Sequence, residues 1–139
     1  MRAGLFLLLN TLLLISCKEL DITRYEYRST TMTGRTVVSI TQDSTIISFT
    51  GRGEPTRTAR STSTGEWAAL AKAMAGVDLS KIANLEAPTN KRATDAAPFG
   101  SIEITTKDTV YTSASFDGKN PHEMLMPLMN EIVKIWEKK

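Results

Sequence analysis

The sequence predicts an α+β domain, an antiparallel sheet of four to six strands with two main helices on one face. Three observations carry this. The chain holds 19 Thr and 11 Ser in 139 residues, and β-branched threonine fits a pleated, half-buried strand. Apolar and polar residues alternate in its first half, as in Val38 and Ile40 against Ser39 and Thr41, which marks strands with one wet face. Two later segments repeat at helical spacing instead: Trp67, Leu70, Ala71 and Met74, then Leu125, Leu128, Met129, Ile132, Ile135 and Trp136.

The elements follow in order. Residues 24–30 form a first strand, with Tyr25 and Tyr27 two apart. Residues 35–41 and 45–50 form the next two around the turn-like Gln42-Asp43-Ser44. Gly51-Arg52-Gly53-Glu54-Pro55 breaks the pattern, and the polar run 56–61 suits an edge strand. Ser63-Thr64-Gly65-Glu66 has the spacing of a capping box and opens the first helix, with Gly76 as its stop. Val77, Leu79, Ile82 and Leu85 form a short second helix or a packed loop, and 84–98 is the longest irregular stretch. Residues 101–106 and 109–116 make a hairpin around Lys107-Asp108. Asn120-Pro121 starts the last helix with a cap and a proline at its first position. Ile40 to Ile46 resembles Ile104 to Val110 at an offset of 64 (104 − 40), so a repeated ββα unit is one reading of the sheet and convergence of two Thr-rich hairpins is the other.

A chain of this length makes one domain. Its formal charge of +2, with 23% charged and 41% hydrophobic residues, excludes a strongly basic nucleic-acid binder and a disordered acidic tail. One Cys and one His exclude a disulfide framework and a closed zinc site. No metal or organic cofactor is expected.

The N-terminus reads as an address. Arg2 is followed by an apolar region from Leu5 to Ile15, eleven positions (15 − 5 + 1) interrupted only by Asn10 and Thr11, against the roughly 20 that a spanning helix needs. That is the length of a secretory signal. It ends Leu14-Ile15-Ser16-Cys17, which resembles the lipobox of bacterial lipoproteins. The resemblance implies cleavage before Cys17, diacylglycerol on its thiol and a further acyl chain on its amine. Two or more chains give stable attachment at about 0.8 kcal/mol per buried CH₂. An acylated sulfur is no longer a nucleophile. The domain plan is therefore 1–16 signal peptide, 17–21 lipidated tether and 22–139 a single α+β body. The mature chain has 123 residues (139 − 16) and a side-chain balance of +1, so the acyl chains and not charge hold it at the membrane. Lys18-Glu19-Leu20-Asp21 is similar to the surface-export signal of some Bacteroidota lipoproteins. The cell surface and the periplasmic leaflet of the outer membrane both remain open.

The candidate chemistry is sparse. His122, the sole imidazole, sits beside Pro121 at a helix start, and nothing local supplies the partner carboxylate or nucleophile that a catalytic role needs. Asp95 and Asp117 lie in loops beside strands, where turn-forming hydrogen bonds compete with any acid–base role. Arg52, Arg57, Arg60, Lys91 and Arg92 are the densest basic positions, but Arg57 and Arg60 face opposite sides of a strand. Gly51-Arg52-Gly53 lacks the Gly-Lys-Ser/Thr of a phosphate loop. Met124, Met126 and Met129 fit a core or an adaptable surface. Tyr25, Tyr27 and Tyr111 are candidates for an exposed carbohydrate platform.

Two segments, Ala87-Pro88-Thr89-Asn90-Lys91-Arg92-Ala93-Thr94-Asp95-Ala96-Ala97 and Ser115-Phe116-Asp117-Gly118-Lys119-Asn120-Pro121, precede an amphipathic C-terminal helix. Together they resemble small uncharacterised lipoproteins of Bacteroidota such as flavobacteria. The resemblance covers most of the mature chain and implies localisation and fold, with no activity to carry over. If the two segments meet, Arg92, Asp95, Asp117 and His122 are the candidate binding residues, with a salt-bridged loop anchor as the other reading. The expected function is a non-enzymatic envelope lipoprotein, partnered by the membrane through its anchor and by an envelope protein or glycan. The alternatives are an inhibitor or immunity-type protein acting through a loop such as 84–98, and a small hydrolase using loop carboxylates.

Overall fold

A computed structural model describes residues 21–138. The segment read as a signal and Cys17 lie outside the described residues. The strands are β1 (Ile22–Thr30), β2 (Gly34–Ile40), β3 (Ser44–Gly51), β4 (Thr56–Ser61), β5 (Phe99–Thr106), β6 (Val110–Thr112) and β7 (Phe116–Asp117). They form one antiparallel sheet in the order β4-β3-β2-β1-β5-β6, with β7 also on β5. The first four strands are a meander. The chain then crosses the sheet through α1 (Thr64–Ala73) and adds β5 on the free side of β1. The second main helix is α2 (Met126–Glu137).

Register fixes which side chains face the helices. Tyr25 lies opposite Ile40 and Ile104, and Tyr27 opposite Val38 and Ile102. All six are at most 1% exposed. Leu70 and Met74 of α1, Leu79 and Ile82 of a 3₁₀ turn (Leu79–Asn84), and Leu128, Met129, Ile132 and Ile135 of α2 cover them. The reverse face carries no helix and is mostly polar, with Val37, Ile46 and Phe99 among its large apolar side chains.

The capping box at α1 is formed. Ser63 Oγ accepts from the Glu66 amide at 3.1 Å, and Glu66 Oε2 accepts from the Ser63 amide at 2.9 Å. Gly76 follows the helix at a φ of +79°, a conformation that glycine adopts at no steric cost. Ala71 is exposed and not part of the buried face. The polar run 56–61 is indeed an edge.

Two expectations are corrected. The strand expected over 109–116 is broken, because Ser113 turns inward and accepts the Ile102 amide on its Oγ at 3.0 Å while donating to the Ala114 carbonyl. Six strand positions thus hold seven strands. The last helix begins later than Asn120-Pro121. Asn120 instead donates its amide to the Asp117 carbonyl at 2.9 Å. A 3₁₀ turn (Glu123–Leu125) precedes α2, and the Met126 amide closes onto the Glu123 carbonyl. Pro127 has no amide to make the α-helical bond to that carbonyl.

The self-similarity resolves into a shared turn. Thr41 donates its amide to the Ser44 carbonyl at 2.9 Å, and its Oγ1 takes the Ser44 amide at 3.0 Å. Thr106 and Thr109 repeat this at 2.8 and 3.1 Å, and Thr31 and Gly34 at 2.8 and 3.2 Å. The structural offset between the first two is 65 (106 − 41), one more than the sequence offset. Threonine hydroxyls that close their own turn explain the likeness.

Candidate functional site

Asp117 organises the irregular segment. Phe116 and Asp117 point to opposite faces of the sheet. Phe116 enters the core at 1% exposure. Asp117, paired with Phe99, lies on the helix-free face. Its Oδ2 accepts from Thr89 Oγ1 at 2.5 Å and the Lys91 amide at 2.7 Å. Its Oδ1 accepts from the Arg92 amide at 2.8 Å and Arg92 Nη1 at 3.0 Å. Burial works hardest on this carboxyl and raises its pKa. The Thr89 hydroxyl, the Arg92 and Lys91 amides and the Arg92 guanidinium together outweigh burial and hold it well below the usual carboxylate range. Arg92 also donates to Ser115 Oγ at 3.2 Å and the Thr89 carbonyl at 3.0 Å. The segment after Leu85 is thereby wrapped around the β7 edge and fastened to the sheet.

Two of the four candidate residues, Arg92 and Asp117, come together. Asp95 is exposed, and its amide closes a turn onto the Lys91 carbonyl at 2.7 Å, just before Ala96 at a φ of 54°. His122 Nδ1 accepts from the Met124 amide at 3.2 Å, so this imidazole caps the 3₁₀ turn before α2. Among the described residues no hydrogen bond or ion pair joins either to Arg92 or Asp117. The carbohydrate platform is overturned. Tyr25 and Tyr27 are 1% exposed, and Tyr111, opposite Ile104, packs half-buried against the core. Alternation placed their hydroxyl-bearing rings on the apolar face. Burial pushes the Tyr25 phenol up to about 12, while the Tyr27 hydroxyl finds the Gly118 carbonyl at 2.7 Å.

Beside the clamp, Thr30, Met32, Arg92, Ala93, Ala97 and Phe99 line a groove of about 430 Å³. The exposed large hydrophobics among the described residues are Met32 at 89%, Phe99 at 50%, Val110 at 49% and Met124 at 44%. Two of these four share the groove. Thr30 pairs with Phe99 on one side and Arg35 on the other, so Arg35 stands in the same row on the same face. It is exposed and carries no ion pair among the described residues.

Two further clusters escaped sequence reading. Glu26 and Glu103 are cross-strand partners on the helix-free face. Arg28 reaches Glu26 Oε1 through Nε at 2.6 Å and Glu103 Oε2 through Nη1 at 3.0 Å. Arg24 lies 3.8 Å from Glu26 and 3.4 Å from Glu103. Each carboxylate thus touches both guanidiniums, which relieves the like-charge contact that the register imposes. The second cluster is Arg60, which binds both oxygens of Glu66 at 3.0 Å and the Ile135 carbonyl at 2.9 Å, one of the last carbonyls of α2 left without an intrahelical donor. Lys138 adds a contact to Glu66 at 3.2 Å. The charge alternation Arg24-Glu26-Arg28 was the readable signal for the first. The second depends on α2 returning beside β4.

Among the described residues, no group of three or more His, Cys, Asp or Glu is placed to hold a metal ion, and no helix is long and apolar enough to cross a membrane. Comparison with protein-family models, with curated proteins and with solved structures gives no match.

Proposed function

We propose that the chain is a lipoprotein of a bacterial cell envelope, anchored through acyl chains on Cys17 in the outer membrane, whose body binds a partner and does not turn over a substrate. The observation that carries the reading is where the groove lies. β1 leaves the tether at Ile22 and runs nine residues to Thr30, about 27 Å at the rise of a strand. The groove begins at Thr30, at the end of β1 opposite to Ile22, the residue at which the chain enters the sheet. A tethered binding module gains reach from such an arrangement. Asp117 argues against a hydrolytic acid, since four donors occupy its oxygens and keep it ionised, whereas a general acid needs a raised pKa; its part is to anchor the segment that forms one side of the groove. The fastened segment also suits an inhibitor, because a loop ordered before binding loses less entropy on docking.

The test is Cys17→Ser, followed by membrane fractionation and metabolic labelling with an alkyne fatty acid. The substitution is expected to abolish labelling and release the protein from membranes. Unchanged labelling and unchanged fractionation would sink the anchor.

A further inference from the structure

We infer that the groove between Met32 and Phe99 docks a protein segment that presents a bulky apolar side chain beside a carboxylate, and that Arg35 receives the carboxylate. This rests on the reading of the body as a binding module and narrows its partner from protein or glycan to protein.

The groove is methyl-rich where it is open. Met32 at 89% and Phe99 at 50% exposure form its two sides, with Ala93, Ala96 and Ala97 along the fastened segment. Burying such surface is favourable at about 25 cal/mol per Å², and an apolar side chain seated in a pocket is the usual anchor of a protein interface. A sugar needs hydrogen-bonding groups aimed at its hydroxyls. The richest donor here, the Arg92 guanidinium, is engaged by Asp117, Thr89 and Ser115, and of the three lining threonines the Thr31 hydroxyl is held in its own turn, which leaves a sugar only the Thr30 and Thr94 hydroxyls. The three tyrosines are turned to the core.

Charge selects among apolar segments. Arg35 shares the row of Thr30 and Phe99 and has no acidic partner among the described residues. Arg52 lies at the neighbouring turn, its amide on the Thr33 carbonyl at 2.9 Å, and Lys91 is exposed on the segment. The acids of this end are Glu54, Asp95 and Asp117, and Asp117 is consumed by the clamp. An acidic partner is therefore complementary, and a basic one is repelled. The carboxylate could be a side chain or a chain terminus.

The experiment follows the Met32 methyl signal by NMR in the full-length, lipidated chain in detergent micelles. Four probes are titrated. The first is a seven-residue peptide with a central phenylalanine flanked by leucines and glutamates, amidated at its C-terminus. The second carries lysines for the glutamates. The third has neutral flanks and a free C-terminal carboxylate. The fourth is a chito-oligosaccharide. The Met32 signal is expected to move with the first or third probe. Binding to the second should be at least about fivefold weaker, the upper range of one exposed ion pair. Arg35→Glu should remove that preference, and Phe99→Ser should abolish the response with the far-ultraviolet spectrum unchanged. A response to the first but not the third assigns a side-chain carboxylate, and the reverse assigns a terminus. Silence of Met32 with every peptide, preference for lysine, or a response to the sugar alone would overturn the inference. So would a dimer in sedimentation that Phe99→Ser dissolves, since the occupant would then be a second copy. None of these outcomes touches acylation at Cys17, which the labelling experiment decides separately.

Discussion

Gly100→Ala should damage the fold at one identifiable contact. Gly100 lies in β5 opposite Phe116, on the core-facing side. A Cβ built there would collide with the Gly118 carbonyl oxygen and with the Phe116 ring, 2.5 Å from its Cε2. The Gly118 carbonyl also accepts the Tyr27 hydroxyl at 2.7 Å. Pushing it away costs about 1–3 kcal/mol for overpacking. It strands a phenol on a residue 1% exposed, which adds about 1–3 kcal/mol for the lost partner. A total near 3 kcal/mol should lower the melting temperature by roughly 10–20 °C in a domain of this size. Urea and thermal unfolding followed by circular dichroism give the number, and Tyr27→Phe supplies the control. Alone, that change should cost about 1 kcal/mol. In the Gly100→Ala background it should recover stability, because the stranded hydroxyl goes with it, so the two effects should miss additivity by about 1 kcal/mol or more. A loss under about 0.5 kcal/mol for Gly100→Ala, or strict additivity, would refute the reasoning.

Other consequences are as open to test. Hydrogen bonding from Arg60 lowers the Glu66 pKa to about 2 against the opposing effect of burial, with help from the Ser63 amide and Lys138. A carboxylate depressed in the folded state stabilises above its unfolded pKa and loses that stabilisation as pH falls through the folded value. Unfolding free energy should therefore fall between about pH 4.5 and pH 2, and Arg60→Met should flatten that fall; an unaltered acid limb would remove Arg60 from the account. Asp117→Asn should speed amide hydrogen exchange at Lys91 and Arg92 while leaving the β1 and β2 amides slow. If exchange at Lys91 stays as it was, the clamp is not what orders the segment.

The fold was legible where residues act on their immediate neighbours. Ser63 and Glu66 cap a helix whatever surrounds it, and Val38-Ser39-Ile40 chooses a face before any partner strand exists. Where a tertiary contact outbid local preference, the reading slipped. Ser113 keeps its amide on the Ile102 carbonyl but receives the Ile102 amide on its Oγ and not on its own carbonyl, and no local pattern announces that. Asn120-Pro121 is a good helix start, but Pro127 six residues later forbids the helical bond that would have used it. Tyr25 and Tyr27 were assigned by their chemistry as a platform. Their spacing of two, the same clue that marks Val38 and Ile40, already put them on the core face.

The candidate site was half legible for a related reason. Two segments singled out by a resemblance held Arg92 and Asp117, and an aspartate in a loop seeks amides to accept. The groove was not legible, because it is made by register: Thr30 meets Phe99 and Arg35 only through pairings across 69 and 5 residues (99 − 30, 35 − 30). Register also explains why the helix-free face needs no second layer. It sets Glu26 against Glu103 at the centre, and Arg24 and Arg28 close over both, so Glu26 is 6% exposed without any element above it. The four charges at that centre pair with one another, which leaves them little to offer a partner. Arg35, one row beyond that cluster, has no ion pair among the described residues; Arg57 has none either, but it stands on the far β4 edge, whereas Arg35 shares the row of Thr30 and Phe99. That contrast, more than the groove's volume, directs attention to the corner formed by Met32, Arg35 and Phe99.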